Sequence, residues 1–330
     1  MRFGLALPQY DFSLPGIPEI GWSFVRDWAQ RAEELGFSSV WLSDHLFLDV
    51  AHYGAPERKQ GAMECLATLA ALAAVTERVR LGTLVVCNDL RLPTVLAKTA
   101  TTIDLVSGGR LELGMGAGWY EEEYKAAGVP FDPPGIRIAR LAEALQIVTG
   151  LLSRPEFSFS GKYYKIRHGR NLPQPMQSPP TVWLGGKGDR LVSLAGRLAG
   201  GFNTAWAWTV EAYAGRVQLL ERAARRAGRD PASVRRSVGL YCLPGSDPID
   251  LEARWDRYLA AFPGTPAPLR FDEWRRDKLV GTPGEIAATV REFATLGVEE
   301  IILTFGLLPF QFADASAVEL FASEVFPLTA

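Results

Sequence analysis

The feature that most constrains this chain is an alternation. Short apolar runs rich in β-branched and aromatic residues are separated by longer stretches with apolar residues at helical spacing. Such an alternation predicts βα units built around a parallel sheet. The predicted strands cover residues 2–7, 39–43, 80–86, 110–115, 181–184, 200–204, 234–242 and 298–304, and each is followed by at least one helical stretch. Eight such units predict an α/β fold of the (β/α)8 TIM-barrel type, with one domain over residues 1–330. A doubly wound open sheet is the competing fold. It ranks lower because no GxGxxG follows the first strand, where a dinucleotide-binding chain carries it.

Local signals place the helices. Trp22, Val25, Trp28, Ala29, Ala32 and Leu35 repeat at helical spacing, and Gly36 suits a left-handed cap behind them. Pro93 falls in the first turn of the third predicted helix, where proline is tolerated. Thr282-Pro283-Gly284-Glu285 puts a hydroxyl at the N-cap and a carboxylate three residues on. Two segments interrupt the alternation. Residues 157–180 alternate aromatics around Gly161 and then carry several prolines, which predicts a hairpin and an extended strap before strand five. Residues 244–281 predict an insertion with short helices between strands seven and eight. The expectation is that it forms a lid, with Trp255, Tyr258, Phe262 and Trp274 as the aromatics that could face a pocket.

Composition excludes several classes of function. Lys plus Arg number 35 against 37 Asp plus Glu, a formal net charge of −2. That balance gives no reason to expect nucleic acid or an anionic membrane as a partner. Cys65, Cys87 and Cys242 are scattered, with no CxxC pair and no Cys/His cluster at zinc spacing, so no metal site is expected. An odd cysteine count fits a reducing cytoplasm. The apolar run at the N-terminus is too short for a signal peptide, and no stretch approaches the roughly 18 apolar residues of a membrane span. The expectation is a soluble cytoplasmic enzyme acting on a small molecule.

In a barrel of this type, chemistry collects where strands end and βα loops begin. Ser43-Asp44-His45 follows strand two. An imidazole can move a proton near neutral pH, and Asp44 is expected to orient it or to contact a ligand ring nitrogen. Val86-Cys87-Asn88-Asp89 follows strand three with small polar groups for a ligand edge; a turn favoured by Asn and Asp accounts for the same residues equally well. Gly114-Met115-Gly116-Ala117-Gly118-Trp119 follows strand four. Its alternate glycines suit a flat ligand on the backbone, although close chain packing explains many such runs. Gly185-Gly186-Lys187-Gly188 follows strand five and runs straight into a helix, which is a phosphate cradle by geometry. Asn203, Trp206 and Trp208 follow strand six, while Trp41 and Trp183 lie inside strands and are expected in the core. Together these groups predict a planar apolar ligand with a phosphate tail. No GxSxG elbow is present, and the strand-end acids, mainly Asp44 and Asp89, make a poor glycosidase pair.

These motifs resemble the luciferase-like monooxygenase superfamily, in particular its deazaflavin (coenzyme F420)-dependent oxidoreductases. The resemblance runs through residues 32–46, 78–131, 137–148, 179–203 and 279–303. It implies that Asp44 and His45 sit against a tricyclic ring, with His45 as proton donor or acceptor. It implies a bulged strand end over residues 84–87, with Leu84, Val85 and Cys87 behind the ring and a non-prolyl cis peptide at Leu84–Val85. Asn88 is expected at the same edge. Gly116, Ala117, Gly118 and Trp119 would flank the ring or ribityl chain, and Gly185, Gly186, Lys187 and Gly188 would hold the phosphate. Trp119 and Glu122 depart from what some sugar-phosphate dehydrogenases of the group carry there. The implied cofactor is coenzyme F420, with FMN as the alternative, and the implied assembly is a homodimer. Three functions follow as expectations: an F420-dependent hydride-transferring oxidoreductase, an FMNH2-dependent monooxygenase, or a non-catalytic flavin-binding barrel whose pocket is blocked by bulky residues.

Overall fold

The structure is a computed structural model that describes residues 1–53, 57, 59–261 and 270–329. Eight strands form its centre: β1 (Arg2–Ala6), β2 (Ser39–Leu42), β3 (Arg80–Thr83), β4 (Leu111–Gly116), β5 (Val182–Gly185), β6 (Gly201–Ala205), β7 (Arg235–Pro244) and β8 (Glu300–Thr304). Each pairs in parallel with the next, and β8 returns to β1 with Glu300 opposite Arg2. The β4–β5 pairing, Val182 opposite Leu113, closes the cylinder. The predicted (β/α)8 barrel is the fold, and the open doubly wound sheet is not.

Side chains at the strand starts block the lower half of the barrel. Trp41 and Trp183 are fully buried inside it. Glycines on neighbouring strands make their room: a Cβ on Gly82 would lie 2.2 Å from the Trp41 ring, and one on Gly201 would lie 2.2 Å from the Trp183 ring. Each indole N–H then needs a partner. Trp41 donates to Ser39 Oγ at 2.6 Å, and Trp183 donates to Glu112 Oε2 at 2.7 Å. Glu112 is paired with Arg80 at 2.6 Å and with Arg235 at 3.3 Å, while Ser39 donates to Glu300. Burial pushes the Glu300 carboxyl above its ordinary range. With this end of the barrel filled, the strand exits that line a ligand cavity are the C-terminal ones.

The helices α1 (Trp22–Leu35), α2 (Cys65–Val75), α3 (Pro93–Val106), α4 (Glu121–Ala126), α5 (Pro134–Ser153) and α6 (Asp189–Leu198) pack around the first five strands. In α1 the predicted stripe holds: Val25, Ala29 and Ala32 are buried, and Gly36 closes the helix at φ 90°. The capping residues at 282–285 also behave as read, with Thr282 N–H donating to Glu285 Oε2 at 2.8 Å. Strand three ends at Thr83, earlier than expected. The chain then bulges through a cis Leu84–Val85 peptide, where the resemblance put one, and Val86–Cys87 pairs again with β4. Before helix α2, Lys59–Gly61 pairs antiparallel with Phe47–Asp49, forming a hairpin after β2.

Both interruptions are present. Glu156–Ser160 and Lys165–Arg170 form the expected antiparallel hairpin. Between β7 and β8, Pro248–Ala261 is a helix of 14 residues, longer than expected, and Leu279–Gly281 pairs with β7. Trp255, Tyr258 and Trp274 are buried in the main core, and Phe262 lies outside the described residues. Among the described residues no helix is long and apolar enough to cross a membrane.

Candidate active site

The strand exits converge on a cavity of about 630 Å3. That is within the usual range for a small-molecule site and is not the blocked pocket expected of a non-catalytic barrel. β2 delivers its first wall. The Gln9 side chain grips the Ser43 backbone from both sides, accepting from its N–H at 2.6 Å and donating to its carbonyl at 2.7 Å. Tyr10 Oη bonds Ser43 Oγ. This clamp fixes the direction in which Asp44 and His45 leave the strand.

Asp44 and His45 both line the cavity, but they do not form a pair. Asp44 is buried and receives Arg91 through two nitrogens, at 2.5 and 2.9 Å, plus the Cys87 N–H at 2.8 Å. Its oxygens are occupied by this fork, so the expectation that Asp44 orients His45 is corrected. The carboxylate beside His45 is Glu123 on α4. Both of its oxygens lie 3.3 Å from His45 Nδ1, and one also accepts the Leu46 N–H at 2.6 Å. Glu123 is 2% exposed, so its charge needs these partners. A carboxylate on Nδ1 keeps the proton there and leaves Nε2 as the acceptor. Only the acidic run Glu121-Glu122-Glu123 signals this residue in the sequence, because α4 itself is a single short helix.

Of the other expected residues, Leu84, Val85, Cys87, Gly116, Gly118, Trp119, Gly185, Gly186 and Lys187 also line the cavity. Asn88, Ala117 and Gly188 do not. Asn88 turns its amide to Asp89 at 3.0 Å and to Tyr164 at 3.5 Å. The Ala117 carbonyl accepts the Tyr124 hydroxyl at 3.2 Å, and the Gly188 carbonyl accepts the Leu191 and Val192 N–H groups of α6. The glycines at the ends of β4 and β5 make room for Val85. A Cβ on Gly114, Gly116 or Gly185 would come 2.8, 2.6 or 2.5 Å from a Val85 methyl. Gly118, at φ 69°, makes room for Tyr124 in the same way.

The remaining walls were not legible in advance. Leu48 and Tyr53 come from the segment after β2, Tyr241 from β7, and Pro309 and Phe310 from the loop after β8. None of the described residues of the 244–281 insertion lines the cavity. Electrostatics narrows the chemistry further. Burial pushes Tyr10 and Tyr241 well above the ordinary phenol range, Tyr53 up to about 12 and the Cys87 thiol up to about 11. These groups stay protonated near neutral pH. Among the described lining residues Asp44 is closed by Arg91, Glu123 by His45 and Lys187 donates to the Trp206 carbonyl, which leaves His45 Nε2 as an acceptor for a reacting molecule. Among the described residues no three His, Cys, Asp or Glu side chains are grouped to hold a metal ion.

The family model for the luciferase-like monooxygenases matches residues 1–300. The chain belongs to that family. Its relatives carry two cofactor chemistries in their names. An F420-dependent glucose-6-phosphate dehydrogenase of Kineococcus radiotolerans is 31% identical over 68% of this chain and 65% of its own length. Another from Amycolatopsis mediterranei is 35% identical over 53% of this chain. The matches to four dehydrogenases of this name span between 51% and 65% of their own length. An FMNH(2)-dependent dimethylsulfone monooxygenase of Pseudomonas putida is 26% identical over 92% of this chain and 87% of its own length. Among solved structures, the coenzyme F420-dependent tetrahydromethanopterin reductase of Methanopyrus kandleri superposes with a TM-score of 0.77, covering 100% of this chain and 99% of that one. At 19% identity that likeness speaks for the barrel alone.

Proposed function

We propose that this chain is an oxidoreductase that transfers hydride between bound coenzyme F420 and a small organic substrate. The observation that carries the reading is His45, held through Nδ1 by Glu123, as the free base in a cavity whose other titratable groups are protonated or paired. The cavity also fits the cofactor's parts. Val85 and its glycine neighbours give a flat apolar face, and Gly185–Gly188 leads into the N-terminus of α6, where backbone N–H groups favour a phosphate. A Cβ at Gly188 would meet nothing within 4 Å, so the approach to the cradle is open.

When bound, the deazaflavin supplies a two-electron hydride acceptor or donor. The chain's part is positioning and proton transfer. In the oxidative direction His45 Nε2 takes the substrate's hydroxyl proton as hydride departs from the carbinol carbon, and Glu123 stabilises the resulting imidazolium. In the reductive direction the same nitrogen returns the proton. Asp44, fixed by Arg91, presents a rigid polar edge beside it.

An FMNH2-dependent monooxygenase is the second reading, supported by the Pseudomonas putida relative that covers most of the chain. Titration of the purified protein with F420 and with FMN, followed by fluorescence quenching, separates the two. Tight FMN binding without F420 binding would sink the deazaflavin reading. A homodimer belongs to the same proposal. Leu92 just before α3 and Val95 and Val106 on it are exposed large apolar residues, as are Leu172 and Met176 of the strap. Light scattering on the eluted protein, with Val95→Glu as the disrupting variant, tests it.

A further inference from the structure

The cavity is asymmetric. Lys187, its one lysine or arginine among the described lining residues, stands in the glycine cradle and donates to the Trp206 carbonyl at 3.1 Å. Another part of the wall is aromatic. The Phe310 ring lies 5.9 Å from Tyr10 and 5.5 Å from Trp206, both near edge-on, and Trp206 lies 5.8 Å from Tyr241.

Phe310 is held there at some cost. Its φ is 57°, in the left-handed region that favours glycine, and Ala207, beside Trp206 in the same wall, has φ 59°. The loop that carries Phe310 is pinned by the buried Gln311. Its Oε1 accepts the Leu307 and Leu308 N–H groups at 2.8 and 2.9 Å, and its own N–H donates to Thr304 Oγ1 at 3.1 Å. A glycine at 310 would relieve the backbone but remove the ring. The fold keeps the ring, fixed against the two other aromatics.

We infer that the substrate is an uncharged alcohol or carbonyl compound with an apolar, ring-sized group, which the aromatic corner of Tyr10, Trp206 and Phe310 receives, and not a phosphorylated sugar. The inference rests on the oxidoreductase reading above and adds the substrate class. A sugar phosphate brings a dianion into this cavity. Lys187 lies in the cradle assigned to the cofactor's phosphate, and no other lysine or arginine among the described residues lines the wall to balance a second one. An uncharged ring, by contrast, meets edge and face contacts that are already in place.

The test is equilibrium binding, independent of turnover. Acetophenone and glucose 6-phosphate are titrated into the protein saturated with F420, and into the cofactor-free protein, by calorimetry. Acetophenone is expected to bind and glucose 6-phosphate is not. Phe310→Leu should weaken acetophenone about fivefold, the scale of one aromatic contact, with F420 affinity unchanged. Phe310→Tyr should restore it, which separates ring loss from a disturbed loop. Glucose 6-phosphate binding as tightly as acetophenone, neither compound binding, or acetophenone indifferent to Phe310→Leu would each overturn the inference. Failure of F420 to bind would sink the cofactor reading alone, since acetophenone binding and its dependence on Phe310 are still read in the cofactor-free protein.

Discussion

Both carboxylate oxygens of Glu123 lie 3.3 Å from Nδ1 of His45, across 78 residues of chain. The pair couples the loop after β2 to the short helix after β4, and it gives His45 one defined tautomer. Glu123→Gln keeps the shape but can present either an N–H or a carbonyl to Nδ1, so the ring loses its fixed tautomer and the imidazolium loses its counter-charge. The expected result is a fall in kcat on the order of 10²-fold with little change in KM, and a comparable or larger fall for His45→Ala. Glu123→Asp should recover part of the rate. A Gln variant with full kcat and an unchanged pH profile would remove Glu123 from the mechanism.

Asp44 and Arg91 make a different kind of pair, and their variants should fail differently. The Asp44 carboxylate is buried, and Arg91 supplies two of its three hydrogen bonds. Arg91→Met leaves that charge without a counter-ion, so stability should drop by about 3 kcal/mol in urea unfolding. The His45–Glu123 pair is untouched by the change. The folded fraction should therefore keep the pH dependence of kcat, even where cofactor affinity falls. A pH profile displaced by Arg91→Met would return Asp44 to the proton-transfer chemistry.

Much of the fold could be read in the sequence because it rests on repeated local signals. The strand and helix periods, Gly36 and the Thr282–Glu285 cap each act within a few residues. The site was legible only where strand ends carry it. His45 and Gly185 were found because they follow strands, whereas Glu123 sits on a helix too short to show a period. Phe310 enters the cavity from a loop whose course is set by Gln311 bonding Thr304, Leu307 and Leu308, and Tyr53 from a single 3-10 turn, and neither segment carries a period. The role given to Asp44 was misread for a related reason. Its neighbour in sequence is His45, but its partner in space is Arg91, 47 residues away.

Cys87 gives the chain a pH signature. Burial pushes its thiol up to about 11 from an ordinary value of 9. Below pH 9 the thiol is protonated in both folded and unfolded chains, and the group adds no pH dependence. Between pH 9 and 11 the unfolded chain releases the proton while the folded one keeps it, so stability falls as pH rises. The loss attributable to Cys87 is about 2 kcal/mol across that window. Denaturant unfolding of the wild type and of Cys87→Ala should show the wild type losing more stability from pH 9 to 11. Parallel pH curves for the two proteins would mean that the thiol ionises as freely in the fold as in water.

The glycines that end β4 and β5 are the place where a sequence motif and its physical cause diverge most. Read as a motif, Gly116 and Gly185 offer backbone to a flat ligand. In the structure a Cβ on Gly185 would come 2.5 Å from Val85 Cγ1, and one on Gly116 would come 2.6 Å from Val85 Cγ2. Neither glycine has a left-handed φ, so the side chain of Val85 is what forbids a larger residue. Gly185→Ala should therefore destabilise the protein by about 2 kcal/mol through overpacking, and Val85→Ala should be milder. The double variant should be more stable than Gly185→Ala alone, because removing the valine methyls opens the space that the new Cβ needs. A thermodynamic cycle over the four proteins measures this as a favourable coupling of about 1 kcal/mol. Additive effects would mean that Gly185 is required for a reason other than Val85, and the ligand-facing reading of the motif would regain its ground.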